Sequence, residues 1–391
     1  MSQLKVNTIR HTGASSDAVT LASDGTCTAQ ITNPRSFRNI VQNGSFQVAQ
    51  RGTSSTASGM QTMDRWGAGY AADNVMTQSQ HALTSSDTGP WEKGLRYSYH
   101  ILNGDTAASG TSRSELQQPI EAQYISQSGW DYTSASSYLT LSYWIKTSVA
   151  NNFNHYVMTI DGTMKRWTWE TGTISANTWT KITKKIPGNA NIQIDTDNGE
   201  GLRVVLSAFH GTSYTANSVN NETWENWSSG ARTKDNSTTW WTTDGATVEI
   251  TGVQLEVGDV ATDFEHRSYD HAFQTSMRYY FEVGNSTGTW IYLNPLANDN
   301  NTIEVMPVFP VPMRAGPTVT ATGTINCRAC ANGNSGSEIT LSGSSFNAPG
   351  DTVVTGHTWW DATSGTPFSG GYFGRIYGGT STSSINFSAE L

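Results

Sequence analysis

The sequence predicts an all-β protein: a jelly-roll sandwich and a C-terminal β-sandwich, joined by one short helix and preceded by a small N-terminal segment. Three observations predict this. Ser, Thr, Asn and Gly dominate, while only 14% of residues are charged, so helix formers are sparse and strand and turn formers abundant. The 14 Trp and 15 Tyr residues supply material for cores and interfaces, which disordered chains lack. Short runs alternate apolar and polar residues and are separated by turn signals. A length of 391 residues suggests two or three domains at about 150 residues each.

Residues 1–36 scatter their apolar side chains (Leu4, Val6, Ile9, Val19, Leu21, Ile31) too thinly to bury a core alone, so this segment needs a partner. Asp24-Gly25 marks a turn and Asn33-Pro34 a boundary. From Phe37 the aromatic and β-branched density rises, and residues 37–268 read as the jelly roll. Tyr138–Lys146 alternates cleanly, with Leu139, Leu141, Tyr143 and Ile145 on one face. Tyr156–Ile160, Trp179–Ile186 and Leu202–Phe209 are similar, with turns at Asp161-Gly162, Pro187-Gly188-Asn189 and Asn198-Gly199. In Thr247–Val257 the apolar phase slips: Val248 and Ile250 share one parity, Val253 and Leu255 the other. That requires a bulge or bend, and Gly252 is where the missing side chain eases it. Gly211 through Thr243, rich in Asn, Ser, Thr and Trp, reads as a long excursion between core strands, and such loops are often functional.

Residues 269–284 form the linking element. Asp270–Phe281 predicts a helix with Phe273, Met277, Tyr280 and Phe281 on one face and Ser268 or Asp270 as N-cap. Residues 285–391 read as the C-terminal sandwich, with strands at Thr289–Leu293, Thr302–Val305, Thr318–Ala321, Glu338–Leu341, Thr352–Trp360 and Ser384–Ser388. Pro307, Pro310, Pro312 and Pro317 suit edges or connections. No repeat of about 20–50 residues appears, which disfavours a solenoid.

A formal net charge of −9 without basic runs argues against nucleic-acid binding. No stretch approaches the roughly 20 apolar residues of a membrane span, so no membrane insertion is expected. The N-terminus lacks a basic start followed by an apolar core, so the chain is expected to be made in the cytoplasm without a signal peptide. Cys27 stands alone. Cys327 and Cys330 form one C-x-x-C without further ligands at zinc spacing; it reads as two thiols on a strand, with a local disulfide or a site shared between subunits as alternatives.

Catalysis finds little support. Glu115 and Glu121 flank Pro119, and Glu249 and Glu256 share a strand, but none carries a signature of paired acid–base work, and structural salt links are the simpler reading. His266 and His271 are spaced wrongly for a helical metal pair. Asp195, Asp197, Asn198 and Glu200 could ring a calcium ion but fit no EF-hand, which favours a solvated turn. No G-x-S-x-G, H-E-x-x-H or P-loop is present; no catalytic residue, metal site or cofactor is expected.

Three motifs in order carry a resemblance. The first is Arg38-Asn39-Ile40-Val41-Gln42-Asn43-Gly44-Ser45-Phe46-Gln47-Val48-Ala49-Gln50-Arg51-Gly52, followed by Asp64-Arg65-Trp66. The second is Ser112-Arg113-Ser114-Glu115-Leu116-Gln117-Gln118-Pro119-Ile120-Glu121, leading into Leu139–Lys146. The third is Ile250-Thr251-Gly252-Val253-Gln254-Leu255-Glu256-Val257-Gly258-Asp259-Val260-Ala261-Thr262-Asp263-Phe264-Glu265-His266-Arg267, followed by Met277-Arg278-Tyr279-Tyr280. Together, over roughly residues 37–283, they resemble the carbohydrate-binding-module-like jelly roll of bacteriophage tail-fibre and receptor-binding proteins. Ser384–Leu391 is similar to the terminal strand of such fibres.

The resemblance implies a virion (tail) component, usually a homotrimer, that engages the host surface. It makes residues 1–36 a virion-attachment and trimerisation segment that docks on another virion protein, such as a tail adaptor or tube. It also makes Asp64-Arg65-Trp66 and Ser112–Glu121 fold markers, with Arg65 and Glu121 as satisfied polar groups. A purely structural head or vertex fibre and a polysaccharide depolymerase are the competing readings. Host surface glycan is the expected ligand, because C–H faces of sugars stack on exposed aromatic rings while Asn, Asp and Ser bind hydroxyls. Trp224, Trp227, Trp240 and Trp241 in the excursion, and Trp359 and Trp360 beside Asp361, meet that requirement; packing into the core or a trimer seam is the alternative.

Overall fold

Alternation in the sequence becomes two facing sheets. The structure is a computed structural model that describes residues 6–15, 17–25, 27–29, 37–71, 76–284, 290–291, 295–297, 302–329, 338–347, 353–363, 374–378 and 383–391. Three short strands, β1 (Thr8–Ile9), β2 (Val19–Leu21) and β3 (Cys27–Ala29), pair antiparallel. Ile9 and Leu21 stay exposed, so β1 and β2 bury no core among the described residues.

The sandwich follows: β4 (Ser54–Ser55), β5 (Gly67–Ala71), β6 (Thr77–Ala82), β7 (Tyr97–Leu102), β8 (Arg113–Glu121), helix α1 (Ala122–Ser126), β9 (Tyr138–Thr147), β10 (Asn151–Thr159), β11 (Lys165–Ile174), β12 (Thr180–Pro187), β13 (Glu200–His210), β14 (Trp224–Asn226) and β15 (Thr247–Val257). The first sheet has the order β14-β11-β10-β13-β8-β5, the second β12-β9-β15-β7-β6-β4. Leu139, Leu141, Tyr143 and Ile145 of β9 turn inward as the alternation predicts, and meet Leu116, Ile120, Val157, Trp167, Trp169, Leu202 and Val204 of the first sheet in one apolar core.

Two backbone devices fix the register of β15. Its pairing with β9 slips between Thr251 and Gln254, and Gly252 sits there at φ +62°, the predicted bulge. Gly44 packs against that bulge so closely that a Cβ would lie 2.0 Å from the Val253 carbonyl, and the Gly44 carbonyl accepts from Val253 N at 2.9 Å. The Asn43 amide donates to the Val48 carbonyl at 2.9 Å and the Asp64 carbonyl at 3.0 Å, tying the first motif to the Asp64-Arg65-Trp66 turn.

The helix α2 spans Tyr269–Met277, with Ser268 as N-cap accepting from His271 N. It stops before the predicted end. Tyr280 and Phe281 belong instead to strand β16 (Tyr280–Gly284), which pairs with Ser384–Ser388. Tertiary pairing overrides the helical spacing there: Phe281 stacks on Phe387 at 6.2 Å and meets Phe309 edge-on at 6.1 Å. The five-residue α1 was not foreseen.

Past β16, a second apolar core is shared by two sheets. Phe387, Ile385 and Val319 come from the three-stranded one; Ile303, Val305, Cys327, Leu341 and Trp360 come from the larger one. The predicted strand Thr352–Trp360 is broken at Gly356, giving Val353–Thr355 and His357–Ala362. Val308–Met313 is a strand despite Pro310 and Pro312, in a two-stranded pairing that leaves proline positions unbonded. Cys327 is buried in this core, and Cys330 lies outside the described residues.

The sandwich, α2 and the C-terminal strands meet at a buried polar junction. Arg65 is 1% exposed and holds a left-handed backbone at φ +71°. Its Nε donates to Gln42 Oε1 at 3.1 Å, its NH2 to the Pro119 carbonyl at 2.6 Å, and its NH1 to Glu390. Its guanidinium lies 3.4 Å from the Tyr279 ring centroid. Glu121 takes both arms of Arg278 at 2.8 Å each and the Tyr279 hydroxyl. Arg51 stacks on Tyr280 at 3.6 Å and reaches Glu390 at 3.1 Å. Arg65 and Glu121 are thus satisfied polar groups, as the motifs imply.

Truncating one member of such a set strands the others in low dielectric. Arg65→Ala in the full chain is expected to lose on the order of 3–5 kcal/mol in denaturant unfolding. A loss below about 1 kcal/mol, the level of an exposed ion pair, would show that the junction contributes nothing special.

Candidate functional site

Strand periodicity sends Arg113 and Glu115 of β8 to the outer face of the first sheet, opposite Leu116 and Ile120. Tyr156 and Met158 of β10 and Val205 of β13 form a small apolar cluster on that face, with Trp227 packed on it. The excursion at 211–243 folds back across them. It is pinned at both limbs: Arg232 N donates to the Tyr214 carbonyl at 2.7 Å, Ala216 N to the Thr233 carbonyl at 3.0 Å, and Trp227 N to the Met164 carbonyl at 2.9 Å. Tyr214 and Arg232 are thereby held side by side.

The result is a half-buried aromatic–arginine platform, in which the Arg232 side chain is 13% exposed. Arg232 lies 4.4 Å from the Tyr214 ring centroid and 5.5 Å from that of Trp227; Arg113 approaches Tyr214 at 5.6 Å. Trp227 leans on Tyr156 at 5.6 Å. Beneath them sits the buried Glu115, accepting from His210 Nε2 at 2.5 Å, Arg232 NH1 at 2.8 Å and the Tyr156 hydroxyl at 3.4 Å. Gly69 faces it across the pairing with β5, where a Cβ would come within 3.2 Å of Glu115 Oε2. Burial works to raise the Glu115 carboxyl, but the His210 hydrogen bond and charge, with Arg232 and Arg113, pull it down to about 2. Burial pushes the Tyr156 hydroxyl well up, so it stays a neutral donor. Arg113 Nε is buried without a hydrogen-bond partner among the described residues.

The two tryptophan clusters divide on inspection. Trp227 belongs to the platform. Trp224, on edge strand β14, is half-buried against the main core and donates through Nε1 to the Pro187 carbonyl at 2.6 Å. Trp240 and Trp241 are corrected: both are 0% exposed, Trp240 Nε1 donating to the Thr247 carbonyl at 3.1 Å and Trp241 packing tilted against Phe209 at 4.9 Å. No ring face is left for a sugar, so packing is their role. Trp360 is likewise buried in the C-terminal core, while Trp359 is half-buried beside it. Asp361 is exposed and accepts from Thr302 Oγ1 at 3.0 Å.

Sequence reading missed Tyr214, Arg113, Arg232 and His210. In sequence, residues 112–121 read only as a motif, but period two along β8 (Arg113–Glu121) does put Arg113 and Glu115 on one face. Nothing local announces that Arg232 would lie over the ring of Tyr214, eighteen positions away.

The other carboxylates are similarly occupied. On the outer face of the second sheet, Glu249 accepts from His81 Nδ1 at 2.9 Å, Ser98 at 2.8 Å and Lys146 at 2.9 Å. Lys146 also holds Asp87 at 2.8 Å, which accepts from Trp179 Nε1 at 2.9 Å. Glu256 accepts from Thr262 and lies 3.4 Å from Arg38. Glu200 grips Arg203, and Asp197 accepts from Gly199 N at 2.9 Å, as in a solvated turn. His266 Nε2 donates to the Lys93 carbonyl at 2.7 Å.

No protein-family model matches the chain, and no curated protein sequence does. Solved structures resemble part of it. The bacteriophage CBA120 tailspike protein 4 enzymatically active domain aligns over 56% of this chain and 22% of its own, at 12% identity and TM-score 0.31. A putative sugar binding protein from Bacteroides thetaiotaomicron aligns over 56% of this chain and 100% of its own, at 10% identity and TM-score 0.30. The N-terminal cellulose-binding domain of Cellulomonas fimi β-1,4-glucanase C aligns over 55% and 99%, at 9% identity and TM-score 0.27. The chain thus spans about a fifth of the tailspike domain and nearly all of the other two. Likeness this distant concerns the type of β fold, and no ligand or activity follows from it.

Acid stability follows from Glu115. Its carboxyl is depressed from the ordinary value of 4.5 to about 2, so its contribution is complete above the unfolded value and is lost as pH falls through about 2. A shift of this size is worth roughly 3 kcal/mol. Wild-type melting temperature should fall steeply between pH 4.5 and 2, and Glu115→Gln should flatten that part of the profile. Parallel curves for both proteins would contradict the assignment.

Proposed function

We propose that this chain is a bacteriophage tail-fibre or receptor-binding protein that binds polysaccharide on the host cell surface through the platform of Trp227, Tyr214, Arg113 and Arg232. The single observation that carries the reading is this half-buried set of rings and guanidinium groups, pinned by hydrogen bonds over a buried carboxylate. Ring faces receive the C–H face of a pyranose, guanidinium N–H groups bind its hydroxyls, and a pre-formed site avoids the ordering cost of a mobile loop. The ordered motifs over residues 37–283 support the virion assignment. In that reading the chain assembles as a homotrimer, residues 1–36 dock on another virion protein, and three platforms on one fibre raise avidity.

The proposed role is binding without cleavage. A glycosidase needs one carboxyl kept protonated near neutral pH beside an ionised one. The carboxyls of Glu115, Glu121 and Glu249 are all desolvated, which opposes ionisation, yet each is held below its usual range by the cations and donors it binds. Asp64, which burial lifts to about 6 against Arg51 and Gln50, is fully enclosed at the junction, away from any substrate.

The test is binding of the full chain to a panel of purified bacterial surface polysaccharides. A polysaccharide bound by the wild type should be bound at least about tenfold more weakly by Trp227→Ala, a loss typical of a central aromatic. Arg113→Ala, which removes no hydrogen bond to Glu115, serves as the second variant should Trp227→Ala unfold. Unaltered affinity in both variants, or no binding by the wild type, would refute the platform.

A further inference from the structure

The charges of the platform do not balance. Strand periodicity puts Arg113 of β8, Arg166 of β11 and Arg203 of β13 on the outer face of the first sheet, opposite the core residues Leu116, Trp167 and Val204. Arg166 holds Glu225 at 2.9 Å, Arg203 holds Glu200 at 2.5 Å, and Arg232 holds Glu115 at 2.8 Å. Arg113 forms no ion pair and no side-chain hydrogen bond among the described residues; it lies 5.6 Å from the Tyr214 ring centroid. Glu115 acts on it as a charge, but that carboxylate already accepts from Arg232 and His210.

Two guanidinium groups thus stand against one carboxylate. His210, in either protonation state, adds no negative charge. Arg113 and Arg232 less Glu115 leave the platform one positive charge in excess, on a chain whose formal net charge is −9. The excess acts locally, because salt at physiological strength screens exposed charges beyond about 8 Å. Arg113 is partly buried against a ring, so part of its water is already lost. A planar guanidinium in that state is matched by a pair of anionic oxygens, which it meets with two parallel N–H donors. A neutral hydroxyl offers one oxygen and no countercharge. A nucleic acid would need a run of such cations, and the platform has one unpaired.

We infer that the polysaccharide taken by the platform is anionic, and that Arg113 binds its carboxylate or phosphate while a sugar ring rests on Trp227. Arg232, already paired with Glu115, is left to bind hydroxyls. The inference rests on the glycan-binding reading of the platform and narrows its substrate class to acidic polysaccharide.

The test is titration of the full chain with two matched pairs: oligogalacturonate and its methyl ester, phosphomannan and unphosphorylated mannan. Within a pair the rings are alike and the charge differs. The wild type should bind the acidic member of at least one pair at least about tenfold more tightly than the neutral member. Raising NaCl from about 50 to about 500 mM should shrink that ratio severalfold. A preference in the first pair alone assigns a carboxylate, and in the second alone a phosphate. Arg113→Gln should abolish the preference and Arg113→Lys retain most of it, whereas Trp227→Ala should weaken both members of a pair alike. Equal affinity within each pair, a preference that survives Arg113→Gln, or no binding of any of the four overturns the inference. A ratio indifferent to salt does so too, and needs no variant. If some polysaccharide still binds through Trp227 in those cases, the acidic class alone falls; if none does, the platform falls with it.

Discussion

Everything in this chain is arranged around one buried guanidinium. Arg65 cannot be hydrated where it lies, and an unpaired charge in such a place would be intolerable. Its contacts therefore come from four separated parts of the sequence: Gln42, Pro119, Tyr279 and Glu390. Each must be in position for the others to be worth burying. The left-handed backbone at Arg65 aims the side chain into this set and is tolerated because so many partners determine it. The junction binds the sandwich, the end of α2 and the C-terminal strands into one polar knot.

That constraint explains which residues make the chain recognisable. Asn43, Gly44, Asp64, Arg65, Glu121, Arg278 and Tyr279 are the residues that the motifs bring together, and all of them serve the bulge or the junction. Residues that could meet a ligand, such as Tyr214, Trp227 and Arg113, sit on surfaces that the core does not dictate. Scaffold and contact surface are thus separable, and the strong sequence signal belongs to the scaffold.

The same division decides how much could be read without coordinates. Where a residue's environment is set by its near neighbours, the reading succeeds. Period-two burial in β9 and the phase slip at Gly252 are both local consequences of the pleat. It fails where distant chain decides. Tyr280 and Phe281 have helical spacing from Phe273 but are drawn into pairing with Ser384–Ser388. Trp240 and Trp241 lie in a polar stretch that looks like exposed loop, yet the chain dips there into the core beside Phe209. Trp227 lies in the same stretch and stays half-exposed, because a short edge pairing of β14 with β11 keeps that part on the surface. Composition cannot separate these two outcomes; only the path of the chain does.

The pairing of Arg65 with Glu390 also has a temporal side. The two are separated by 325 positions, so a ribosome makes the acid long after the base. During synthesis at roughly 5–20 residues per second, the sandwich strands have tens of seconds in which to associate while that guanidinium lacks its carboxylate. The sandwich must either wait in a loosened, partly wet form or shield Arg65 with Gln42 and the Pro119 carbonyl alone. Pairing with Glu390 then completes the partners of the guanidinium. In a chain built this way the junction beneath the sandwich closes only after a strand from far along the sequence has been delivered.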